Sequence, residues 1–108
     1  MAGFADPFPG ISREINEDEL VRALRLDIAA EEEAVTLYTA QADATRNPIA
    51  RRILNNIAEE EIVHIGEFNR LIEMISKPET KLQMQGQKEV DEMVTNFSID
   101  EVSKWLNL

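Results

Sequence analysis

The residues of this chain best suited to chemistry are Glu61 and His64. They stand three positions apart in an apolar-periodic run. On a helix of about 3.6 residues per turn, that spacing stacks carboxylate and imidazole on one face, where both can reach one metal ion. A Glu-x-x-His unit arises by chance on many surface helices. What sets this one apart is its row: Ile53, Ile57, Glu61, His64, Phe68, Leu71 and Ile75 follow in steps of three or four, the pattern of a helix burying one face. The first half of the chain repeats the pattern with Leu20, Leu24, Ile28, Glu31, Val35, Tyr38 and Ala42, and there too one carboxylate, Glu31, takes an apolar position. A carboxylate among Ile, Val and Tyr is costly unless it is paired or bound to a cation. Glu32 and Glu60 fall off these rows and read as solvated charges, as do Glu59 and Glu67.

The elements that must position these residues are two long helices. Asn16 is placed to cap the first, Glu19 stands three residues on as in a capping box, and Ile15 and Leu20 occupy hydrophobic-staple positions. The predicted helix runs from about Glu17 to Thr45. Asn47-Pro48 then ends one helix and starts the next, because proline disfavours helix at the residue before it and is welcome in a first helical turn. The second helix is predicted to about Ser76, where Lys77-Pro78 stops it. So short a connection makes the two helices, residues 17–76, an antiparallel hairpin. Gly86 interrupts the polar segment that follows, and Val90, Met93, Val94 and Phe97 predict a short amphipathic helix in a C-terminal segment over 87–107. Ser98 and Glu101 form a second capping-box pattern within it. Residues 1–15, with Gly3, Pro7, Pro9 and Gly10, read as an extended arm whose Phe4 and Phe8 dock on a neighbour. The expected fold is all-α, one domain over residues 1–108.

Counting along the hairpin places the acidic residues. Glu31 lies 16 residues before Asn47, and Glu61 and His64 lie 14 and 17 after it. At about 1.5 Å per residue these are ~24, ~21 and ~25 Å from the turn, so all three share one height. A dinuclear carboxylate site in a four-helix bundle needs a Glu from each of two helices and a Glu-x-x-His from each of the other two. This chain supplies one of each. A two-fold dimer of hairpins completes the bundle and the site, with four carboxylates offsetting two divalent metals. Oxygen and imidazole ligands without sulfur suit Fe²⁺ or Mn²⁺. Taken alone, Glu61 and His64 read as a buried ion pair that sets helix register; Glu31 at the same height turns the reading to metal.

Composition narrows the function classes. A net charge of −10 argues against a nucleic-acid partner, since an acidic surface repels phosphate and attracts cations. The absence of cysteine removes disulfides, thiolate metal sites and thiol catalysis. No stretch approaches the roughly 20 apolar residues that span a bilayer, and the N-terminus lacks the pattern of a signal peptide, so a cytoplasmic protein without a membrane partner is expected. One histidine leaves no Ser/His/Asp arrangement to argue.

The run from Leu24 through Glu31 to Tyr38, followed by Ile57 through Glu61 and His64 to Phe68, resembles the encapsulated ferritin family and, more distantly, ferritins and rubrerythrins. The similarity covers roughly residues 17–76 and rests on Glu-x6-Tyr combined with a single Glu-x-x-His. It implies that Glu31, Glu61 and His64 are iron ligands, two irons per dimer, with Tyr38 beside the metals as a hydrogen-bond partner. It also implies a ferroxidase that oxidises Fe²⁺ with O₂, assembles as a decameric ring of five dimers, and serves iron storage inside an encapsulin shell in the cytoplasm. Glu33 matches an acidic position that helps metal access in the family. Ala30 stands where the family often has a second acid, and Leu37 where it often has an aromatic. No shell-targeting tail is recognisable after Trp105. Two other readings remain at this stage: a di-metal protein of peroxide detoxification, for which rubredoxin-type cysteines are lacking, and a non-catalytic acidic helical oligomerisation module. A further apolar row, Leu26, Ala30, Ala34 and Leu37 with Ile62, Ile65, Asn69 and Ile72, is expected to serve contacts beyond the dimer.

Overall fold

In a computed structural model residues 13–107 are described, and all their regular structure is helical. The order is α1 (Glu17–Ala44), α2 (Pro48–Ile75), α3 (Lys77–Val94) and α4 (Ile99–Trp105). The chain divides into two compact units, Met1–Ile75 and Ser76–Leu108.

The first unit is the predicted hairpin, and its boundaries follow from local chemistry. Asn16 Oδ1 accepts from the Glu19 backbone N–H at 2.9 Å, and the Glu19 carboxylate accepts from the Asn16 N–H at 3.1 Å, closing the capping box. Arg13 donates to both Glu19 oxygens, at 2.9 and 2.6 Å. The Arg13 bonds, then the Asn16 N–H, hold the Glu19 carboxyl down to about 2. At the turn, Asn47 Oδ1 accepts from the N–H groups of Ile49 and Ala50, at 3.0 and 3.2 Å. Arg51 reaches back across the turn and donates to the carbonyls of Ala42 at 3.1 Å and Thr45 at 2.8 Å. Two carbonyls at the end of α1, those of Ala42 and Thr45, are thereby satisfied from α2.

α1 and α2 pack along their length. Far from the turn the seam is Val21, Leu24 and Ile72, with Leu20, Ile28, Phe68 and Ile75 against them. Nearer the turn the buried residues are Ala42 and Ala58, whose small side chains let the backbones approach. Between those two apolar stretches sits the layer that holds Glu31 and Glu61. Val21, Leu24, Ala42, Ala58 and Ile72 are the buried hydrophobic residues among those described, while Leu37, Ile49, Ile53, Ile62, Val63, Leu71 and Met74 of the same unit are exposed. That is a large apolar surface to leave open within one hairpin.

Two expectations are corrected. The segment after Lys77-Pro78 is helical from its start: α3 begins at Lys77 and runs through Gly86. Pro78 sits in the first turn of α3, where its missing N–H is no loss. The Lys, Leu, Gln, Met and Glu residues around Gly86 have helix propensity enough to carry one glycine, which costs about 1 kcal/mol relative to alanine. The further apolar row is also not one surface. Ile72 is buried and Ile65 half-buried, so both belong to the hairpin's inner side. The expected contacts of Phe4 and Phe8 lie outside the described residues. Among the described residues no helix is long and apolar enough to cross a membrane.

Candidate metal centre

Glu31 comes from α1 and Glu61 and His64 from α2, and one donor atom of each lies within 4.8 Å of the other two. His64 Nδ1 stands 3.6 Å from Glu31 Oε1 and 3.6 Å from Glu61 Oε2. Neither separation is a hydrogen bond; the imidazole nitrogen sits level between two carboxylate oxygens and is bonded to neither. Ligands about 2.0–2.2 Å from one ion stand about 3 Å apart when adjacent in its coordination sphere, so small side-chain rotations bring all three onto a common cation. Two carboxylates and a neutral imidazole also balance one divalent charge. The donor set therefore fits Fe²⁺, and its three groups leave coordination positions open for other ligands.

Burial orders the three. The side chains of Glu31 and Glu61 keep 22% and 19% of their exposure, whereas His64 keeps 48%. Position on the helix explains the difference. At about 100° per residue, α2 carries an apolar sector whose inner edge is Ala58, Ile65 and Ile72 and whose outer edge is Ile53, His64 and Leu71. The inner edge packs on α1, and the outer edge is open. His64 is thus not inside the hairpin seam, as its row implied, but on an open flank. On α1 the same flank carries Leu26, Ala30, Ala34 and the exposed Leu37 next to Glu31. The candidate ligands and exposed apolar residues share one face. Sequence reasoning missed that grouping, although the width of the apolar sector on α2 carried the signal.

Tyr38 is half-buried on α1, two turns from Glu31 and about 10 Å along the axis; helical side chains lean towards the N-terminus, which here is towards Glu31. Glu33 is exposed on the far side of α1 from Glu31 and does not join the group.

A family model described as Rubrerythrin matches residues 22–108. The crystal structure of the encapsulated ferritin domain from Pyrococcus furiosus superposes with a TM-score of 0.71 at 31% identity, over 82% of this chain and 90% of that one. The chain belongs to the rubrerythrin family, and within it to the encapsulated ferritins. Two curated relatives agree. The encapsulin nanocompartment cargo protein EncC of Myxococcus xanthus is 42% identical over 62 residues, 57% of this chain and 48% of that protein. The ferritin-like-encapsulin shell fusion protein of Pyrococcus furiosus is 37% identical over 70 residues, 65% of this chain and 20% of that one. This encapsulated ferritin chain thus spans about half the length of the first relative and a fifth of the second.

Proposed function

We propose that this encapsulated ferritin chain is a ferroxidase subunit that binds Fe²⁺ as substrate through Glu31, Glu61 and His64 and oxidises it with O₂ for storage in an encapsulin nanocompartment. The observation that carries the reading is the convergence of an acid–acid–imidazole set from two helices on one open, apolar face. That face calls for a second copy. Two hairpins apposed through it form the four-helix bundle, bring together two Glu31, two Glu61 and two His64, and remove the site from water, which strengthens every charge interaction inside it. Each Fe²⁺ gives one electron, so two irons reduce O₂ with two protons to hydrogen peroxide, and a further pair carries it to water. The protein's own part is to hold the ions at fixed separation. Glu31 and Glu61 neutralise their charge, and His64 must be neutral to coordinate, so acid competes with metal. The Tyr38 hydroxyl is assigned as a donor to a ligand carboxylate, whereas Glu33, on the far side of α1 from Glu31, is assigned no part at the site.

The decameric ring and the encapsulin partner rest on family membership and on what the two relatives are named for. With such a partner the protein would work inside a shell in the cytoplasm. The Rubrerythrin match favours one competing reading, a di-metal site that consumes peroxide.

The test is aerobic Fe²⁺ addition to wild type and to Glu31→Ala, Glu61→Ala and His64→Ala, following the ferric product and bound iron. Each variant is expected to lose bound iron and oxidation while keeping wild-type helicity. Wild-type rates in all three variants would overturn the assignment. Oxidation by hydrogen peroxide without O₂, but not by O₂ alone, would favour the peroxide reading.

A further inference from the structure

α3 is an 18-residue helix with no buried residue. An isolated helix of that length is marginal in water, since packing of an apolar face supplies most helical stability. α3 has such a face. Leu82, Gly86, Val90 and Val94 follow in steps of four, with Met93 beside them, and Leu82, Val90 and Met93 are each more than half exposed. Val94, in the last turn, lines an apolar groove with Val102, Trp105 and Leu106 of the α4 region. Upstream of that turn the row is open.

Gly86 is the informative residue. A Cβ added there would meet nothing within 4 Å, and its backbone is ordinary helix. Nothing among the described residues calls for a glycine that weakens the helix. Absence of a side chain in the middle of an exposed apolar row lets another helix approach closely there, because interaxial distance is set by the side chains at the crossing point.

We infer that α3 pairs with α3 of a second copy, antiparallel, on a two-fold axis passing at Gly86. Position and charge both select this occupant. Nine residues of α3 precede Gly86 and eight follow it. A two-fold at that point makes the row its own complement, the property an isologous contact requires. It sets Leu82 level with the partner's Val90. Residues 77–85 carry Lys77, Lys81 and Glu79, a net positive end, whereas residues 87–94 carry Glu89, Asp91 and Glu92 against Lys88, a net negative end. Parallel pairing would set acid against acid. Antiparallel pairing sets each basic end against an acidic one, brings Lys81 level with the partner's Asp91, and opposes the helix dipoles favourably.

The inference is independent of the iron site and is tested in metal-free full-length protein. Because the chain has no cysteine, Leu82→Cys and Val90→Cys chains each carry one thiol. A short bifunctional thiol reagent should link a co-expressed mixture of the two into a mixed dimer and should link neither variant to itself, since like positions lie about 12 Å apart along the axis besides the helix separation. Adding Gly86→Ala to both chains should raise helicity yet abolish the mixed band. Self-linking of either variant would mean a parallel contact, and no link at all would mean that something other than α3 covers the row. A mixed band that survives Gly86→Ala would move the crossing away from Gly86. Each of these three results overturns the proposal.

Discussion

Replacing Glu31 by leucine should stabilise the metal-free protein and abolish its response to iron. Glu31 and Glu61 hold donor atoms within 4.8 Å of each other, each side chain about four-fifths removed from water. At an effective dielectric constant near 20, two like charges at that distance repel by about 3 kcal/mol, and residual solvent lowers this to about 2. A leucine buried to the same degree adds about 1–2 kcal/mol of apolar transfer. Losing one carboxylate beside the half-exposed His64 costs at most about 1 kcal/mol. The net gain is about 2–3 kcal/mol, which for a domain of this size raises Tm by about 10 °C or more. Glu31→Gln, which removes charge without adding apolar surface, should gain about half as much. The assay is thermal unfolding in chelator, then with anaerobic Fe²⁺. Iron at about 100 times its Kd should add about 2.7 kcal/mol to wild type and nothing to Glu31→Leu. A Glu31→Leu protein melting at or below wild type in chelator would show that no electrostatic cost is held at this layer.

Two predictions concern the frame. Arg51→Ala removes both side-chain bonds that close the turn, to Ala42 and Thr45, and should cost about 1–3 kcal/mol in urea unfolding with an unchanged m-value; no loss would mean the carbonyls are satisfied without Arg51. Glu19 is held down to about 2 in the folded chain by Arg13 and the Asn16 N–H, against an ordinary value of 4.5. A depressed carboxyl stabilises above its unfolded pKa and loses that contribution as pH falls through the folded one. The stability difference between wild type and Glu19→Gln should therefore be constant above about pH 5 and shrink between 4.5 and about 2; a difference independent of pH would remove the Arg13–Glu19 bond from the capping interaction.

Most of the hairpin was legible because its signals are local. Asn16 with Glu19 and Asn47 with Pro48 act within one turn of chain, so α1 and α2 begin where those residues predict. The common height of Glu31, Glu61 and His64 was legible for the same reason, since a short turn converts residue counts into distances. α3 was not, because Pro78 and Gly86 were read as breaks. Proline breaks a helix only from within it, and a single glycine lowers stability without choosing another conformation.

What remained hidden was the side of the helix each residue takes. Apolar periodicity reports burial against anything, so a helix that packs on two partners shows one broad sector with no line between its interfaces. On α2 the row from Ile53 to Ile75 runs through the middle of that sector. Ala58 and Ile72 face α1, whereas His64 and Leu71 are left to whatever comes next. Glu61 lies between, half-buried, so one acid of the site is fixed by the hairpin while its histidine is open. In the proposed dimer, a hairpin built this way would complete its core and its ligand shell with the same contact. Neither could then be strengthened alone: an apolar residue at Glu31 would close the seam and remove the proposed site, and a polar residue at Leu71 would leave the three candidate ligands in place but take apolar surface from the face proposed to cover them.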